Sequence, residues 1–310
     1  MTIRTCAKLL ARALWAVFIA QAIAGIFVDL PYNWWLGWLP MLAAVAIGAV
    51  LRGTDERRDP AKRPDPVEVD PPVTGRWSAL NSPADKVPSH GTDMLAQTYA
   101  IDIVAEPEGR SRPTFAWLWP VARRNTDFPA FDAPLLAVAD ATVVRAEDHR
   151  RDHLSRNSLP ALLYFFLVEG LFRSIGGPGN IVGNHVVLDL GGGVYAAYAH
   201  VRRGSLTVRP GDRVTAGRPL GRCGNSGNST EPHLHFQLMD GPDVRTAKGL
   251  PFTWRGIGVP AGGETFTADR QVTTDGRASA DGQVSADGQI TTAPPATAGR
   301  PATADRQARA

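Results

Sequence analysis

One segment, residues 183–240, constrains the fold of this chain more than any other part of the sequence. It ends in a run, residues 233–238, in which imidazole or amide side chains alternate with apolar ones. Because successive side chains of a strand point to opposite faces, His233, His235 and Gln237 are predicted to share one face of a strand. Two histidines on one face suit a metal site, in which one imidazole binds the ion and the other faces what lies beside it. Two half-exposed strand histidines without a metal would give the same pattern, so the surrounding sequence has to distinguish a metal site from this alternative.

Further short apolar runs surround this pattern and are separated by turns rich in glycine and proline. Such spacing is typical of an all-β domain. The predicted strands are residues 97–104, 183–190, 194–200, 205–208, 214–220 and 233–238. The apolar and β-branched segment 134–146, with a turn at Asp140, is predicted to form a hairpin.

Four blocks in this part of the chain together resemble the lysostaphin and LytM-like zinc metalloendopeptidases, which are cell-wall hydrolases. They are Gly-Asn-His-Val-Val-Leu-Asp at 183–189, Tyr-Ala-His at 198–200, Pro-Gly-Asp-x-Val-x-x-Gly at 210–217 and Ser-Thr-Glu-Pro-His-Leu-His-Phe at 229–236. The blocks follow one another in the family's order. The resemblance implies a mainly β fold, a small antiparallel β-sandwich or barrel built as a duplicated hybrid motif. It also implies a bound Zn²⁺ and hydrolysis of peptide bonds in peptidoglycan stems or cross-bridges.

The same resemblance assigns roles to individual residues. In the family the second histidine of His-x-His binds zinc, while the first histidine and the one in Tyr-Ala-His serve catalysis. This implies that His235 is a metal ligand and that His233 and His200 are catalytic. Asp102, in the predicted strand at 97–104, occupies the position of the family's aspartate ligand.

The first ligand motif departs from the family's pattern. The family has a histidine four residues before its aspartate, where this chain has Thr98. The nearest imidazole is that of His90, twelve residues before Asp102. A loop could deliver it, because a zinc ligand needs only to bring its nitrogen within about 2.0–2.1 Å of the ion. His90 is therefore predicted to complete the metal site, with Asp93 as another possible donor.

Two other interpretations give different functions. Thr98 is consistent with a degenerate, non-catalytic LytM-like module that binds cell wall or regulates another hydrolase. The Pro-Gly-Asp-x-Val turn also occurs in biotinyl and lipoyl carrier domains, which need an acceptor lysine on an exposed hairpin tip. Lys86 and Lys248 are the only lysines after the proline-rich region, so the sequence favours the peptidase over the carrier.

The first 52 residues contain two uncharged apolar stretches, 13–28 and 34–51. A helix needs about 20 residues to cross about 30 Å of hydrocarbon, so each stretch is near the lower limit. The aromatic residues between them are typical of a membrane interface. We therefore predict two N-terminal transmembrane helices that anchor the chain, although the first stretch also has the form of a signal peptide.

Basic residues flank this pair on both sides, which by the positive-inside rule favours a cytoplasmic position for both flanks. They are Arg4, Lys8 and Arg12 before the pair, and Arg52, Arg57, Arg58, Lys62 and Arg63 after it. A hydrolase of the cell wall needs its catalytic domain outside. We therefore expect a protein of the cell membrane with the domain outside, in conflict with the flanking charges.

Composition sets the remaining boundaries. Residues 53–72 are charged and rich in proline, which predicts a semi-rigid linker, and the metallopeptidase domain is then expected over 73–260. Within it, residues 159–175 are predicted to form an inserted helix that packs on the domain, with membrane contact as the alternative. Residues 261–310 are rich in alanine, threonine, aspartate and glycine, which predicts a disordered tail.

The remaining residue counts exclude some functions. The formal net charge is +3. The sequence contains no arginine run with interleaved aromatic residues, so no nucleic-acid partner is expected. The two cysteines, Cys6 and Cys223, cannot form a disulfide framework, and Cys223 is expected in the core. His185 is expected on a strand face, and His149 and His153 in solvated loops.

Overall fold

The computed structural model describes residues 3–28, 30–55, 64–170, 173 and 177–269. Most of the predicted tail at 261–310 and part of the predicted linker at 53–72 lie outside the described residues.

Short strands make up most of the described domain. They are β1 (Val67–Val69), β2 (Gly75–Asn81), β3 (Ile101–Ala105), β4 (Pro134–Leu136), β5 (Ala141–Glu147), β6 (His185–Gly191), β7 (Val194–Ala199), β8 (Arg213–Val214), β9 (Pro219–Arg222), β10 (Leu234–Met239), β11 (Gly249–Leu250), β12 (Phe252–Trp254) and β13 (Thr265–Ala268). The predicted mainly β architecture is confirmed.

The principal sheet is antiparallel and has β10 near its centre. Its strand order is β13-β2-β3-β10-β7-β6-β5-β8, and β11 pairs with the end of β10. Strands β1 and β12 form a parallel pair, and β4 and β9 form an antiparallel pair. In the principal sheet β10 lies between β3 and β7, so His235 stands opposite both Asp102 and Ala199.

One face of β10 lies at the centre of the hydrophobic core. Leu234, Phe236 and Leu238 are fully buried, as the alternation along this strand predicts. The Phe236 ring makes edge contacts with Tyr198 of β7, at 5.3 Å between centroids, and with Phe252 of β12, at 5.2 Å. Burial of one such side chain contributes about 1.5–3 kcal/mol to stability. The polar side chains on the other face are therefore carried by a strand that is firmly packed from behind.

Several strands differ from their predicted extent or pairing. Residues 134–146 do not form a hairpin, because β4 pairs with β9 while β5 pairs with β6 and β8. Residues 205–208 form no strand. The strand predicted at 97–104 begins only at Ile101, after a 3₁₀ segment, Met94–Tyr99. β1 and β13 fall inside the predicted linker and tail, because each pairs with a strand that is distant in sequence, β12 and β2.

The N-terminal residues form two helices, α1 (Ile3–Phe27) and α2 (Leu39–Asp55), with a 3₁₀ segment, Trp34–Trp38, before α2. Among the described residues one stretch, Leu9–Phe27, is long and apolar enough to cross a membrane, and the apolar stretch Trp35–Leu51 is shorter. The prediction of two transmembrane helices is therefore wrong for the second stretch. Its first residues are 3₁₀-helical, which leaves α2 with 17 residues, fewer than the roughly 20 that a span takes.

The two apolar stretches contact each other. The Phe18 ring of α1 lies 5.6 Å from the Trp38 ring, and the Gln21 amide donates to the Gly37 carbonyl. The Tyr32 hydroxyl donates to Gln21 Oε1 at 3.0 Å. The two stretches are thus in contact, although only α1 has the length of a span.

The inserted helix begins at Leu159, as predicted. Helix α3 (Leu159–Tyr164) continues into one π-helical turn (Phe165–Glu169). Ser158 caps it by accepting a hydrogen bond from the Ala161 amide, an arrangement worth about 1 kcal/mol. Most of the predicted residues 171–175 lie outside the described residues, and a short helix, α4 (Pro178–Val182), leads into β6.

Candidate active site

The register of β3 and β10 brings the first two predicted ligands together. Asp102 and His235 are directly opposite each other in the antiparallel pair, and His235 Nδ1 lies 2.8 Å from Asp102 Oδ1. Both side chains are buried. A carboxylate and an imidazole held at this distance by two paired backbones form a rigid half of a site.

His90 reaches the same carboxylate from the loop before β3. His90 Nε2 lies 2.8 Å from Asp102 Oδ2, the oxygen that His235 does not contact. Asp93, the other donor considered, lies elsewhere and accepts a hydrogen bond from Thr98 Oγ1 at 3.1 Å. The loop therefore supplies the imidazole that the sequence lacks at position 98.

Hydrogen bonds select the inward nitrogen of each of these two imidazoles. Gln237 Nε2 donates to the Leu95 carbonyl at 2.9 Å, so its Oε1 faces His235 Nε2 at 3.0 Å and accepts that proton. Ser89 Oγ donates to a backbone carbonyl and therefore accepts the proton of His90 Nδ1, at 3.0 Å. The nitrogens left to face Asp102 are His235 Nδ1 and His90 Nε2, each with a lone pair in the neutral ring.

The two predicted catalytic histidines, His200 and His233, lie beside each other and close to His235. The His200 ring is 4.8 Å from the His233 ring and 5.8 Å from the His235 ring, measured between centroids. His200 Nδ1 donates to the Ser226 carbonyl at 2.8 Å, and His233 Nδ1 donates to the Glu231 carbonyl at 2.8 Å. The Nε2 atoms of both rings are thus directed inward, and that of His233 lies 3.6 Å from Asp102 Oδ1.

The backbone around His200 is held in an unusual conformation. His200 has a φ of +60°, a value that costs a residue with a side chain free energy and that is found at functional sites. The loop that accepts its proton packs so closely on the chain before β6 that a Cβ at Gly227 would lie 2.5 Å from the Gly183 amide nitrogen. The missing side chain at Gly227 therefore lets this loop hold the Ser226 carbonyl against His200.

Electrostatics separates the protonation states of the buried groups. Burial alone would raise the pKa of Asp102, but the charge of His233 holds that pKa well below its usual value. Burial lowers the pKa of His200 well below the ordinary value, and the charges of His233 and His235 lower it further. Burial also opposes charge on His233, but the neighbouring Asp102 carboxylate raises the pKa of His233 overall. The pKa values of the neighbouring His200 and His233 imidazoles are therefore shifted in opposite directions.

These side chains line a cavity of about 220 Å³. Apolar side chains from the inserted region, Phe165 of the π-helical turn and Ile181 and Val182 of α4, contribute to its wall. Asn228 and Thr230, from the loop before β10, add an amide and a hydroxyl. The cavity thus combines a cluster of titratable groups with a partly apolar wall.

The donor set fits a zinc ion. One atom each from His90, Asp102 and His235 lie within 4.8 Å of one another. Two imidazole nitrogens and one carboxylate oxygen are a ligand set used by catalytic zinc sites, which keep a fourth position for water or substrate. The outer nitrogens of both imidazoles are bonded to oxygen atoms, as is usual for ligating histidines.

Some residues of the site have no role in the sequence prediction. Gln237 fixes the His235 ring and could have been recognised from its position on the same strand face. Asn81 donates to Asp102 Oδ2 at 2.9 Å and is brought there by an irregular register between β2 and β3. Ser89 and the Ser226 carbonyl orient His90 and His200. No spacing pattern marks the Asn81 and Ser226 contacts, because they join residues that are 21 and 26 positions apart.

Other residues of chemical interest lie outside the cavity. Cys223 is buried, as predicted, and burial raises the pKa of its thiol. His185 is buried in β6 and donates through Nδ1 to the Gly183 carbonyl at 2.9 Å. His149 is exposed, but the prediction of a solvated loop is wrong for His153, whose two ring nitrogens each lie 2.9 Å from a backbone carbonyl oxygen.

Comparisons with known proteins found a family match for the segment that carries three of the four histidines of the site. Residues 168–246 match the model of peptidase family M23. This segment contains His200, His233 and His235, whereas His90 and Asp102 precede it.

Two curated proteins and one solved structure illustrate the similarity. The glycyl-glycine endopeptidase ALE-1 of Staphylococcus capitis is 40% identical over 74 residues, which cover 24% of this chain and 18% of that protein. The peptidoglycan DD-endopeptidase ShyA of Vibrio cholerae is 37% identical over 57 residues, which cover 18% of this chain and 13% of that protein. The crystallised catalytic domain of lysostaphin from Staphylococcus simulans is 21% identical, with 45% of this chain and 86% of that chain covered and a TM-score of 0.26. The chain thus spans less than a fifth of the length of the two curated relatives.

Proposed function

From the premise that residues 168–246 form a lysostaphin/LytM-like domain of peptidase family M23, we infer that the chain is a zinc-dependent endopeptidase that cleaves peptide bonds in peptidoglycan stems or cross-bridges. The observation that carries this proposal is the common orientation of four imidazoles. In each ring the outer nitrogen is hydrogen-bonded to an oxygen and the inner nitrogen faces the region of Asp102. Histidines that serve only to fill a core have no need of such an arrangement.

His90 Nε2, an oxygen of Asp102 and His235 Nδ1 would hold the zinc. Bound there, the ion supplies a Lewis acid and lowers the pKa of a bound water from 15.7 to about 7. Asn81 and Gln237 keep the carboxylate and one imidazole in place through bonds of 2.9 and 3.0 Å. Ser89 does the same for His90.

His200 and His233 divide the proton chemistry in this proposal. His200 is neutral because burial lowers its pKa, so its Nε2 can accept a proton from an attacking water. Asp102 raises the pKa of His233, which favours a proton on its Nε2 that can be donated to the carbonyl oxygen or the leaving amine. General acid-base help of this kind contributes about 10²- to 10⁴-fold to the rate.

The cavity wall is suited to an extended peptide. Phe165, Ile181 and Val182 provide apolar contact on the side of the inserted region. Asn228 and Thr230 provide hydrogen-bonding groups of the kind that bind a peptide backbone. The inserted region is thus where this chain can differ from others of its family in the choice of peptide.

The test is metal content and peptidoglycan cleavage by the purified full chain and three histidine variants. His235→Ala is expected to lose both bound zinc and activity. His233→Ala is expected to keep zinc and to lose turnover by about 10²- to 10⁴-fold. His149→Ala, at an exposed position, is the control and should change neither quantity.

Metal analysis also separates the proposal from the non-catalytic alternative. One zinc per chain, lost on replacement of His90 as well as His235, supports the peptidase. A folded chain that binds cell wall and holds no zinc would instead identify a binding or regulatory module. Full activity of the His235→Ala variant would refute the assigned ligand set.

We further propose that α1 associates the chain with the cell membrane and that the domain lies outside. The apolar stretch Leu9–Phe27 has the length and composition for this role. The basic residues after α2 argue for the cytoplasmic side. Because the proposed substrate lies outside the membrane, protease added to intact cells should nevertheless remove the domain, and a protected domain would contradict its placement outside.

A further inference from the structure

The described domain has an unusual concentration of exposed apolar side chains. Among the described residues 64–269, every exposed large hydrophobic side chain except Met94 lies between residues 115 and 168. Within this region Trp117, Leu118 and Trp119 are 74%, 70% and 82% exposed. Tyrosine, leucine and phenylalanine side chains of the inserted helix add to the same surface, with Phe166 68% exposed.

Two elements carry these side chains and are joined to each other. The first is the loop at 115–121, here called the aromatic loop, and the second is the inserted helix. The Ala116 amide donates to the Asn157 carbonyl at 3.1 Å, and the Leu159 amide donates to the Ala116 carbonyl at 3.1 Å. Ser158 Oγ donates to the Val121 carbonyl at 2.6 Å. The aromatic loop is therefore fixed beside the first turn of the helix, and its exposed side chains are displayed on a tethered backbone.

The exposed area is large for a surface that meets only water. A tryptophan side chain contributes roughly 150–250 Å², so the two tryptophans alone expose on the order of 230–390 Å². The largest apolar patch of a typical soluble monomer is about 300–600 Å² and is often functional. With Leu118, Leu163, Tyr164 and Phe166 included, this surface reaches the size that marks an interaction site.

Several features indicate a lipid bilayer as the partner. Tryptophan and tyrosine prefer the membrane-water interface, where an apolar ring and a polar group are both accommodated. Four arginines flank the tryptophans and no acidic residue lies between 109 and 126, which complements anionic headgroups; they are Arg110, Arg112, Arg123 and Arg124. The same chain carries the candidate membrane helix, and residues 56–66 can span at most roughly 40 Å at about 3.3–3.6 Å per residue. A bilayer that holds α1 would therefore always be within reach of the domain.

We propose that the aromatic loop and the exposed face of the inserted helix form a surface that enters the interface of an anionic lipid bilayer. This surface adjoins the catalytic cavity, because Phe165 lines the cavity while the next residue, Phe166, is exposed. Arg112, three residues before the aromatic loop, forms an ion pair with Glu231 at 3.3 Å, and the Glu231 carbonyl orients His233. Binding of the bilayer would thus hold the cavity at the membrane surface, close to the layer of wall next to it.

Site-specific fluorescence tests this proposal on the full chain in vesicles. The label is attached through Trp119→Cys in a Cys6→Ser background, since Cys6 is exposed and Cys223 is buried. Quenching by doxyl-labelled lipids is measured in phosphatidylcholine vesicles with and without phosphatidylglycerol. Thr215→Cys, at an exposed position outside residues 115–168, is the matched control.

We expect several-fold stronger lipid quenching at position 119 than at 215. Quenching should increase when phosphatidylglycerol is added and decrease with salt or with Arg124→Gln. A second label, at Phe166→Cys, should respond in the same way and reports on the helix even if the first substitution perturbs the loop. His235→Ala should leave quenching unchanged, so the result does not depend on the proposed peptidase activity.

Two outcomes would overturn the proposal. One is equal quenching at positions 119 and 215 in both kinds of vesicle. The other is protection of position 119 from a water-soluble quencher in detergent, without lipid and in proportion to protein concentration. The second result would mean that another copy of the chain covers the surface.

Discussion

Replacement of Gln237 gives the most direct test of how this site would hold the proposed zinc ion. Gln237 Oε1 accepts the Nε2 proton of His235 at 3.0 Å, and this bond leaves His235 Nδ1 to face Asp102. Gln237→Leu removes the acceptor while keeping a side chain of similar size. In the metal-free protein the His235 ring can turn to recover a partner, whereas the metal-bound ring cannot. The cost therefore falls on the metal-bound state.

The size of this effect follows from burial. His235 and Gln237 are 8% and 2% exposed, so water cannot replace the lost acceptor. An unsatisfied buried donor costs about 1–3 kcal/mol. At 1.4 kcal/mol for each factor of ten, zinc should bind roughly 5- to 150-fold more weakly, in agreement with the 10- to 100-fold typical of such outer partners.

The assay is competition for zinc between the protein and a chromogenic chelator. Gln237→Glu is the matched control, because it keeps an acceptor for His235 while it loses the donor to the Leu95 carbonyl and adds a carboxylate. We expect Gln237→Leu to weaken zinc binding and Gln237→Glu to retain most of it. Unchanged affinity in Gln237→Leu, or equal loss in both variants, would refute the role given to the Gln237 oxygen.

Three further predictions concern folding stability and the loop that contains Gly227. Tyr198→Phe leaves the buried Val138 amide without the hydroxyl that accepts it at 3.0 Å, so the thermal midpoint should fall by an amount equivalent to about 1–3 kcal/mol, whereas Tyr195→Phe on the same strand should have little effect. Gly227→Ala should reduce peptidase activity and stability together, because its Cβ would lie within 2.5 Å of backbone on the facing chain and φ is +73°; a variant with unchanged activity would contradict the role of this close contact. Burial lowers the pKa of His153 in the folded state, so as pH falls the imidazole is protonated in the unfolded chain before it is protonated in the folded one. The contribution of neutral His153 to folding stability is therefore complete above about pH 6.5 and is lost as pH falls through the folded pKa. His153→Gln should therefore lose less stability than the unsubstituted chain between pH 7.5 and 5.5 in thermal unfolding, and an equal loss would show that His153 does not contribute.

Sequence periodicity was sufficient to predict the two faces of strand β10. Alternation along β10 places His233, His235 and Gln237 on one face, because the direction of side chains in a strand depends only on local backbone geometry. The apolar residues of the same strand, such as Phe236, are buried for the same reason. The start of the inserted helix was predicted equally well, since Pro160 is a local signal for a helix N-terminus.

Contacts between distant segments were decided only by the tertiary structure. Whether His90 or Asp93 lies next to Asp102 depends on the path of a loop, and the sequence left both possible. The pairing of β4 with β9, and the addition of β1 and β13 to strands far along the chain, depend on long-range hydrogen bonds that leave no periodic signal. The N-terminal stretches show the same limit, because composition predicted two membrane helices and the 3₁₀ segment before α2 shortened the second.

The sequence by itself thus determined which side chains share a strand face and where the inserted helix begins. The tertiary structure determined which four imidazoles surround one carboxylate, and it displayed the tryptophans of the aromatic loop beside the cavity. The physical reason is that side-chain direction within an element is fixed by local dihedral angles. Which separate elements contact each other is determined by packing and hydrogen bonding among residues as far apart in sequence as Asp102 and His235.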